Sequence, residues 1–344
     1  MKQFLGDAEY DEFIVDPFAP KSIRSMISGL IDKMPSSTKI GFNLTGGTKL
    51  MFAGALAECR KVNATPFYFN SRSNEVVFLN DFKSISAKRI QSVETFIKLN
   101  GNDLFISNPG CWNKIPGTNN SQRLELTKHL WNEKRNITGL YRKLTAFNDH
   151  PGKVFAFKHK NIFVELAKDN NARIIIRSKN GEKRAYQFEN WSNFARYLTG
   201  GWFEEYVYIK LKPLCDKGLI RDLRIGLQVS FKGQNKGTKS LGIKNQILGL
   251  FGANYQELDL SFTDGRRLYI VECKAGSVKG EYVRKLESIT RYFGGIEGQG
   301  ILACCFPPNH PVIKKKANEA HNINLFSGNS LFNDIEKIIR KNGS

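Results

Sequence analysis

Asp259, Glu272 and Lys274 are the residues whose types and spacing best suit chemistry in this chain. The first lies in the run Glu257-Leu258-Asp259-Leu260-Ser261-Phe262, which alternates acidic or polar with apolar residues. The other two end the mostly apolar run Leu268-Tyr269-Ile270-Val271-Glu272-Cys273-Lys274. Residues two apart on a strand share a face, so Glu272 and Lys274 point the same way. Acidic oxygens converging beside one ammonium suit a hard divalent cation such as Mg²⁺ or Mn²⁺. Such a cation polarises a phosphoryl oxygen and lowers the pKa of a bound water. The ammonium orients that water or offsets charge on the phosphate. The competing reading is a solvated strand end with a surface ion pair worth roughly 0–1 kcal/mol. Against it, the two charges directly follow an apolar, buried-type strand.

The elements that must position these residues are two strands and a turn. Asp264-Gly265 between the runs signals a hairpin with a two-residue type I′ turn, whose central residues both need positive φ. That turn predicts Glu257 opposite Glu272, with Asp259 diagonal to it and within reach. The strand LRIGLQVSF (223–231) leads toward the hairpin through a basic, Gly-rich loop holding Lys232, Lys236, Lys239 and Lys244. Flexible lysines of this kind track a phosphate backbone without reading sequence; a merely solvated loop is the alternative. Residues 281–293 read as a helix, with Arg284, Lys285 and Arg291 placed to line a channel.

Asp259 followed by Glu272-Cys273-Lys274 resembles the PD-(D/E)xK nuclease signature, with its first Asp and later E-x-K on adjacent strands. A second stretch adds to it: Leu198-Thr199-Gly200-Gly201-Trp202-Phe203-Glu204-Glu205-Tyr206-Val207-Tyr208. Its glycines start a helix with Phe203, Val207 and Leu211 as apolar stripe, and its two acids favour the N-terminal dipole. It resembles the opening of the nuclease domain in the Card1/Can2 family, CARF-linked PD-(D/E)xK enzymes. That resemblance implies Glu204 as a further catalytic carboxylate, with Glu205 second in line.

Upstream, Lys39–Leu44 reads as a strand, followed by Thr45-Gly46-Gly47-Thr48-Lys49 and a helical LMFAGALAECRK. Strand, Gly-Gly turn and helix form a phosphate-cradling arrangement, with backbone N–H groups and a helix N-terminus facing an anion and the Thr45 and Thr48 hydroxyls and Lys49 adding contacts. A tight turn with no ligand is equally compatible with the loop taken alone. Asn43–Met51, NLTGGTKLM, resembles the ligand loop of CARF domains, Rossmann-like sensors of cyclic oligoadenylates in type III CRISPR defence. SVETFIKLNG (92–101) is similar to the segment that ends those domains. Only 44 residues precede Thr45, where the family has a longer stretch with a first ligand-facing strand. The sensor is therefore expected to be shortened or rebuilt.

Other elements expected are a short strand at Phe13–Pro17, a helix over Lys21–Met34, strands in 65–80, and a helix over 86–101. A linker spans 107–122, two short amphipathic helices span 122–147 with basic residues that either touch nucleic acid or, the favoured reading, lie on a solvated face, and strands occupy 153–190. A closing helix runs over Leu331–Arg340. The predicted architecture is α/β: a Rossmann-like CARF-type ligand-sensing and dimerisation domain at 1–106, linker helices and connecting strands at 107–185, and a PD-(D/E)xK restriction-endonuclease-like domain at 186–344.

The 344 residues, 41% hydrophobic and 24% charged, exclude a disordered or fibrous chain and suit about two domains. Net charge is +20, and it is uneven: residues 1–150 hold 20 Lys+Arg against 14 Asp+Glu, residues 151–344 hold 32 against 18. A basic C-terminal part points to a phosphate-rich polymer as partner. Six cysteines without a CxxC pair argue against a zinc ribbon or disulfide framework and for reduced thiols. Neither a signal peptide nor an apolar run long enough to span a membrane is evident, so a soluble cytoplasmic protein is expected. The reading is a Mg²⁺- or Mn²⁺-dependent endonuclease acting on single- or double-stranded DNA or RNA, and the resemblance implies a homodimer activated by a cyclic oligoadenylate, cyclic tetra-adenylate first. Two other readings stay open: an ungated restriction-like endonuclease with its N-terminal part as dimerisation scaffold, and a non-catalytic nucleic-acid-binding protein.

Overall fold

The computed structural model of the chain is described for residues 11–343, except 63, 105–119, 136, 138–154, 160–161, 167–171, 178–182, 189–193, 195 and 232–255. It divides into two compact units, Met1–Ile90 and Gln91–Ser344.

In the first unit, helix α1 (Pro20–Ile31) is followed by strand β1 (Gly41–Asn43), helix α2 (Lys49–Lys61) and strands β2 (Thr65–Asn70), β3 (Glu75–Phe78) and β4 (Ser84–Ser86). Pro at the first turn presets the φ that α1 needs. The four strands lie in chain order; β1 and β2 are parallel and the rest antiparallel. The parallel pair requires a crossover, which α2 supplies. Gly54 of α2 lies against Ile23 of α1, and Glu58 of α2 accepts from Arg24 of α1 at 2.7 Å. The expected strand at Phe13–Pro17 is absent: residues 11–16 have no regular structure, and Phe13 and Ile14 are exposed. Apolar composition there marks no buried edge, because no neighbouring strand among the described residues takes up its backbone.

The second unit begins with helix α3 (Val93–Leu99) and strand β5 (Asn102–Leu104). Helix forms over 93–99 rather than 86–101, since Ser92 caps it by accepting from Thr95 N, and Ser84–Ser86 is already extended as β4. Helix α4 (Asn120–Asn132) precedes an antiparallel meander of β6 (Phe155–His159), β7 (Ile162–Leu166), β8 (Ala172–Arg177) and β9 (Lys183–Phe188). A π-turn at Tyr197–Gly201 then leads into helix α5 (Trp202–Asp216). Strands β10 (Arg221–Phe231), β11 (Gln256–Thr263) and β12 (Leu268–Lys274), helix α6 (Gly280–Gly294), β13 (Gln299–Cys304), α7 (Pro311–Glu319), β14 (Ile323–Ser327) and α8 (Leu331–Gly343) complete the chain.

The central sheet is six-stranded in the order β14-β13-β12-β11-β10-β5. Strands β5, β10, β11 and β12 are antiparallel neighbours, and β12, β13 and β14 are parallel. Phe203, Val207 and Leu211 of α5 and Ile335 and Ile339 of α8 are buried with Leu260, Phe262, Val271 and Ile301 of the sheet. The predicted stripe of α5 therefore faces the core. Helix α6 covers the opposite face, where Gly300 lies directly under Leu286 and Thr290. Strand β5 and helix α3 belong to this sheet and this unit, upstream of the boundary expected near residue 106. Asp222 ties them in by accepting from Val93 N at 2.7 Å.

The hairpin register differs from the two-residue expectation. Thr263 pairs with Leu268 and Leu260 with Val271, which leaves Asp264–Arg267 as the connection. Asp264 is the cause. Its Oδ1 accepts from the backbone N–H groups of Arg266 at 2.7 Å and Arg267 at 2.8 Å, and its Oδ2 accepts from the Tyr269 hydroxyl at 3.0 Å. An Asp side chain that takes up the following N–H groups builds a wider loop than a type I′ turn. Gly265 supplies the positive φ, 95°, inside that loop. One step further along this register, Asp259 rather than Glu257 stands level with Glu272.

Candidate active site

The ladder between β11 and β12 ends at Leu260 and Val271. Beyond it, Asp259 Oδ2 accepts from the backbone N–H of Cys273 at 2.7 Å, so a side chain takes over where backbone pairing stops. Lys274 donates to Glu272 Oε1 at 2.5 Å, and its Nζ stands 4.7 Å from the centre of the Tyr282 ring at the start of α6. Glu204 enters from the first turn of α5. Glu204, Asp259 and Lys274, with Lys134, Arg196 and Tyr282, line one cavity of about 550 Å³. Glu272 completes the group through its bond to Lys274.

The electrostatics of this group are those of crowded acids. Burial, followed by the charges of Asp259 and Glu257, holds the Glu204 carboxyl well above the usual carboxylate range. Burial and the charge of Glu272 raise Asp259 likewise, against the Cys273 N–H, which works to lower it. Burial works to lower Lys274, but its ion pair with Glu272 and the charge of Asp259 outweigh this, and the net shift is upward. Lys274 is therefore a cation at neutral pH, suited to holding negative charge rather than to accepting a proton. Among the described residues no three His, Cys, Asp or Glu side chains already stand as a closed ligand set. The donor chemistry nonetheless fits a hard divalent cation: three carboxylates, all oxygen, whose mutual repulsion a cation relieves.

Glu205 is separated from this group. It is buried, and Arg123 Nε donates to its Oε2 at 3.1 Å. Three cavity-lining residues were not singled out by number in the sequence. Arg196 precedes the glycine pair and donates to Glu257 Oε1 at 2.6 Å. Lys134 leaves the solvated face expected for it and projects over the Trp131 ring at 4.1 Å. Tyr282 does what was expected of its helix neighbours, since Arg284, Lys285 and Arg291 are exposed and do not line the cavity. Lys232, Lys236, Lys239 and Lys244 lie outside the described residues.

In the first unit, Thr45–Lys49 does connect a strand to a helix. Thr48 caps α2 by accepting from Met51 N at 3.2 Å and donates to Pro17 O at 2.5 Å. The Thr45 hydroxyl donates to Asn43 Oδ1 at 2.6 Å and accepts from Phe69 N at 2.8 Å. Both hydroxyls thus hold the loop's shape. Gly47 takes φ 85°, with Met51 Sδ 3.0 Å from where a Cβ would stand, and Thr45, Gly46, Gly47 and Lys49 are exposed.

The arrangement is thus a mixed sheet flanked by helices, with carboxylates and a lysine together on adjacent central strands. Residues 191–343 match the family model described as "Card1-like, endonuclease domain". No curated protein matches the chain. Among solved structures, Can2 from Sulfobacillus thermosulfidooxidans, in complex with cyclic tetra-adenylate, is similar in fold with a TM-score of 0.66 at 19% identity, over 94% of this chain and 83% of that one. Protein VC1899 from Vibrio cholerae is similar with a TM-score of 0.65 at 16% identity, over 94% and 82%. A type III CRISPR defence DNA nuclease activated by cyclic oligoadenylate reaches 0.51 at 15% identity, over 96% of this chain and 43% of that one. The likeness covers both units, and at these identities what it shows is a shared fold.

Proposed function

We propose that this chain is a cytoplasmic endonuclease of antiviral defence that hydrolyses phosphodiester bonds in DNA or RNA once its first unit holds a cyclic oligoadenylate, with cyclic tetra-adenylate the first candidate. The observation that carries the nuclease half is the convergence of Glu204, Asp259 and Lys274 on one cavity, with Glu272 bonded to Lys274, inside a domain of endonuclease type. Glu204, Asp259 and Glu272 would hold Mg²⁺ or Mn²⁺. When bound, such an ion polarises the scissile phosphoryl oxygen and lowers the pKa of an attacking water. Lys274 stabilises the charge that builds on the phosphate, a task its raised pKa suits. Lys134 and Arg196 hold flanking phosphates at the cavity's rim. In the first unit, backbone N–H groups of Gly46 and Gly47, the start of α2 and Lys49 face the ligand, while Thr45 and Thr48 keep the loop in shape. A homodimer presenting two such loops is the assembly this reading implies. Five of the six cysteines are described and all five are free thiols, which supports a reducing compartment. Among the described residues no helix is long and apolar enough to cross a membrane.

The test is cleavage of labelled single- and double-stranded DNA and of RNA in Mn²⁺ with cyclic tetra-adenylate present, with Lys274→Ala and a chelator as controls. Cutting by the parent that both controls abolish supports the reading. Cutting that survives Lys274→Ala places the chemistry elsewhere.

A further inference from the structure

The ion pair of Arg123 and Glu205 lies outside the cavity, yet it is built onto the elements that shape it. Both side chains are almost wholly buried. Arg123, on α4, directs both Nε and Nη2 at the Glu205 carboxylate. The Thr127 hydroxyl, one turn further along α4, lies 3.2 Å from Glu205 Oε2 and 2.9 Å from the Tyr197 hydroxyl. The Arg123 guanidinium sits 4.6 Å from the centre of the Tyr197 ring. Tyr197 opens the π-turn whose residues 198–201 line the cavity, and Glu205 adjoins Glu204 in the first turn of α5. One network therefore ties α4 to the turn that walls the cavity and to the helical turn that presents Glu204.

A buried ion pair is weak evidence for stability, because replacing it with apolar residues of similar volume is often neutral or stabilising. What a planar guanidinium fork onto a carboxylate does supply is orientation. Successive residues on a helix are about 100° apart, so fixing the direction of Glu205 fixes that of Glu204. We infer that Arg123, acting through Glu205 and together with Thr127 and Tyr197, is a positioning residue that sets Glu204 toward the divalent cation and the scissile phosphate. This rests on the nuclease reading above.

The test is the full-length double variant Arg123→Met/Glu205→Leu, which removes both charges and keeps volume. Three quantities are read: thermal midpoint, Mn²⁺ affinity by titration calorimetry without nucleic acid, and, with cyclic tetra-adenylate present, kcat and KM separately. The expected result is a retained midpoint, an Mn²⁺ affinity weakened about 10-fold or more, and a kcat lowered to a similar degree with KM within about twofold. Mn²⁺ affinity and kcat both within about twofold of the parent would overturn the inference and leave the nuclease reading intact. A parent that neither binds Mn²⁺ nor cuts any substrate overturns both. If the double variant does not fold, Thr127→Val, which removes one hydroxyl that touches both Tyr197 and Glu205, is read by the same criteria.

Discussion

Asp259 and Glu204 hold protons more tightly in the folded chain than free carboxyls do, and the sign of this shift fixes how stability and metal binding vary with pH. Between the ordinary carboxylate range and the raised folded values, the native state binds more protons than the unfolded one, so stability of the metal-free protein falls as pH rises through that window. Mn²⁺ displaces those protons. Its stabilising effect, read as the rise in thermal midpoint at saturating Mn²⁺, is expected to be larger at pH 8 than at pH 6; an equal or smaller rise at pH 8 counts against Asp259 and Glu204 as ligands. The same crowding makes Asp259→Asn a variant with opposed effects. Without metal it is expected to be more stable than the parent at pH 8 by on the order of 1 kcal/mol, since Asn still accepts from Cys273 N without adding charge. Cleavage is expected to fall at least about 100-fold. Glu272 and Lys274 stand out in the sequence as charges that end an otherwise apolar strand, and Asp259 as an acid in the alternating run before it. The choice between Glu204 and Glu205 was not legible there, since adjacent acids at a helix start look alike until Arg123, far off in sequence, claims one of them. Lys134, Arg196 and Tyr282 are single residues delivered by separate elements, and no spacing announces them.

Among the elements, the connection between β11 and β12 decides which acid stands beside Glu272. Asp264-Gly265 correctly marks a hairpin. It gives the wrong register, because Asp264 bonds to the Arg266 and Arg267 N–H groups and so adds two residues to the loop. Asp264 is buried, and its removal leaves those two donors and the Tyr269 hydroxyl without their acceptor. Asp264→Ala is expected to destabilise the protein by about 2 kcal/mol or more, measured by urea unfolding, with Asp264→Asn recovering part of the loss. A stability change within about 0.5 kcal/mol would show that the loop does not depend on this side chain. The expectation of a strand at Phe13–Pro17 fails for a different reason: apolar residues alone suggest a buried strand, and nothing in the sequence says whether a partner strand is available. The stripe Phe203, Val207 and Leu211 succeeds because helical period and core burial point the same way.

For the whole molecule, a net charge of +20 predicts that nucleic-acid binding is dominated by phosphate contacts. Nucleic-acid affinity of a catalytically inactive Lys274→Ala protein is expected to fall steeply and linearly with the logarithm of salt concentration, by filter binding or anisotropy. A slope near zero would exclude the basic surface as the binding surface. The two-part organisation was legible from two motif regions in order along the chain. The boundary was not: α3 and β5 join the unit whose sheet carries the candidate site, and a strand that pairs across more than 100 residues of sequence leaves no local sign of its partner.

If occupancy of the first unit controls the chemistry of the second, the rate of cleavage must follow the ligand. The rate is measured on single-stranded DNA and RNA in Mn²⁺, with and without cyclic tetra-adenylate, parent beside Lys274→Ala. A rate at least about 10-fold higher with the ligand is expected, and none in the variant. Equal rates with and without it, both lost in Lys274→Ala, would contradict the gate and leave an ungated nuclease.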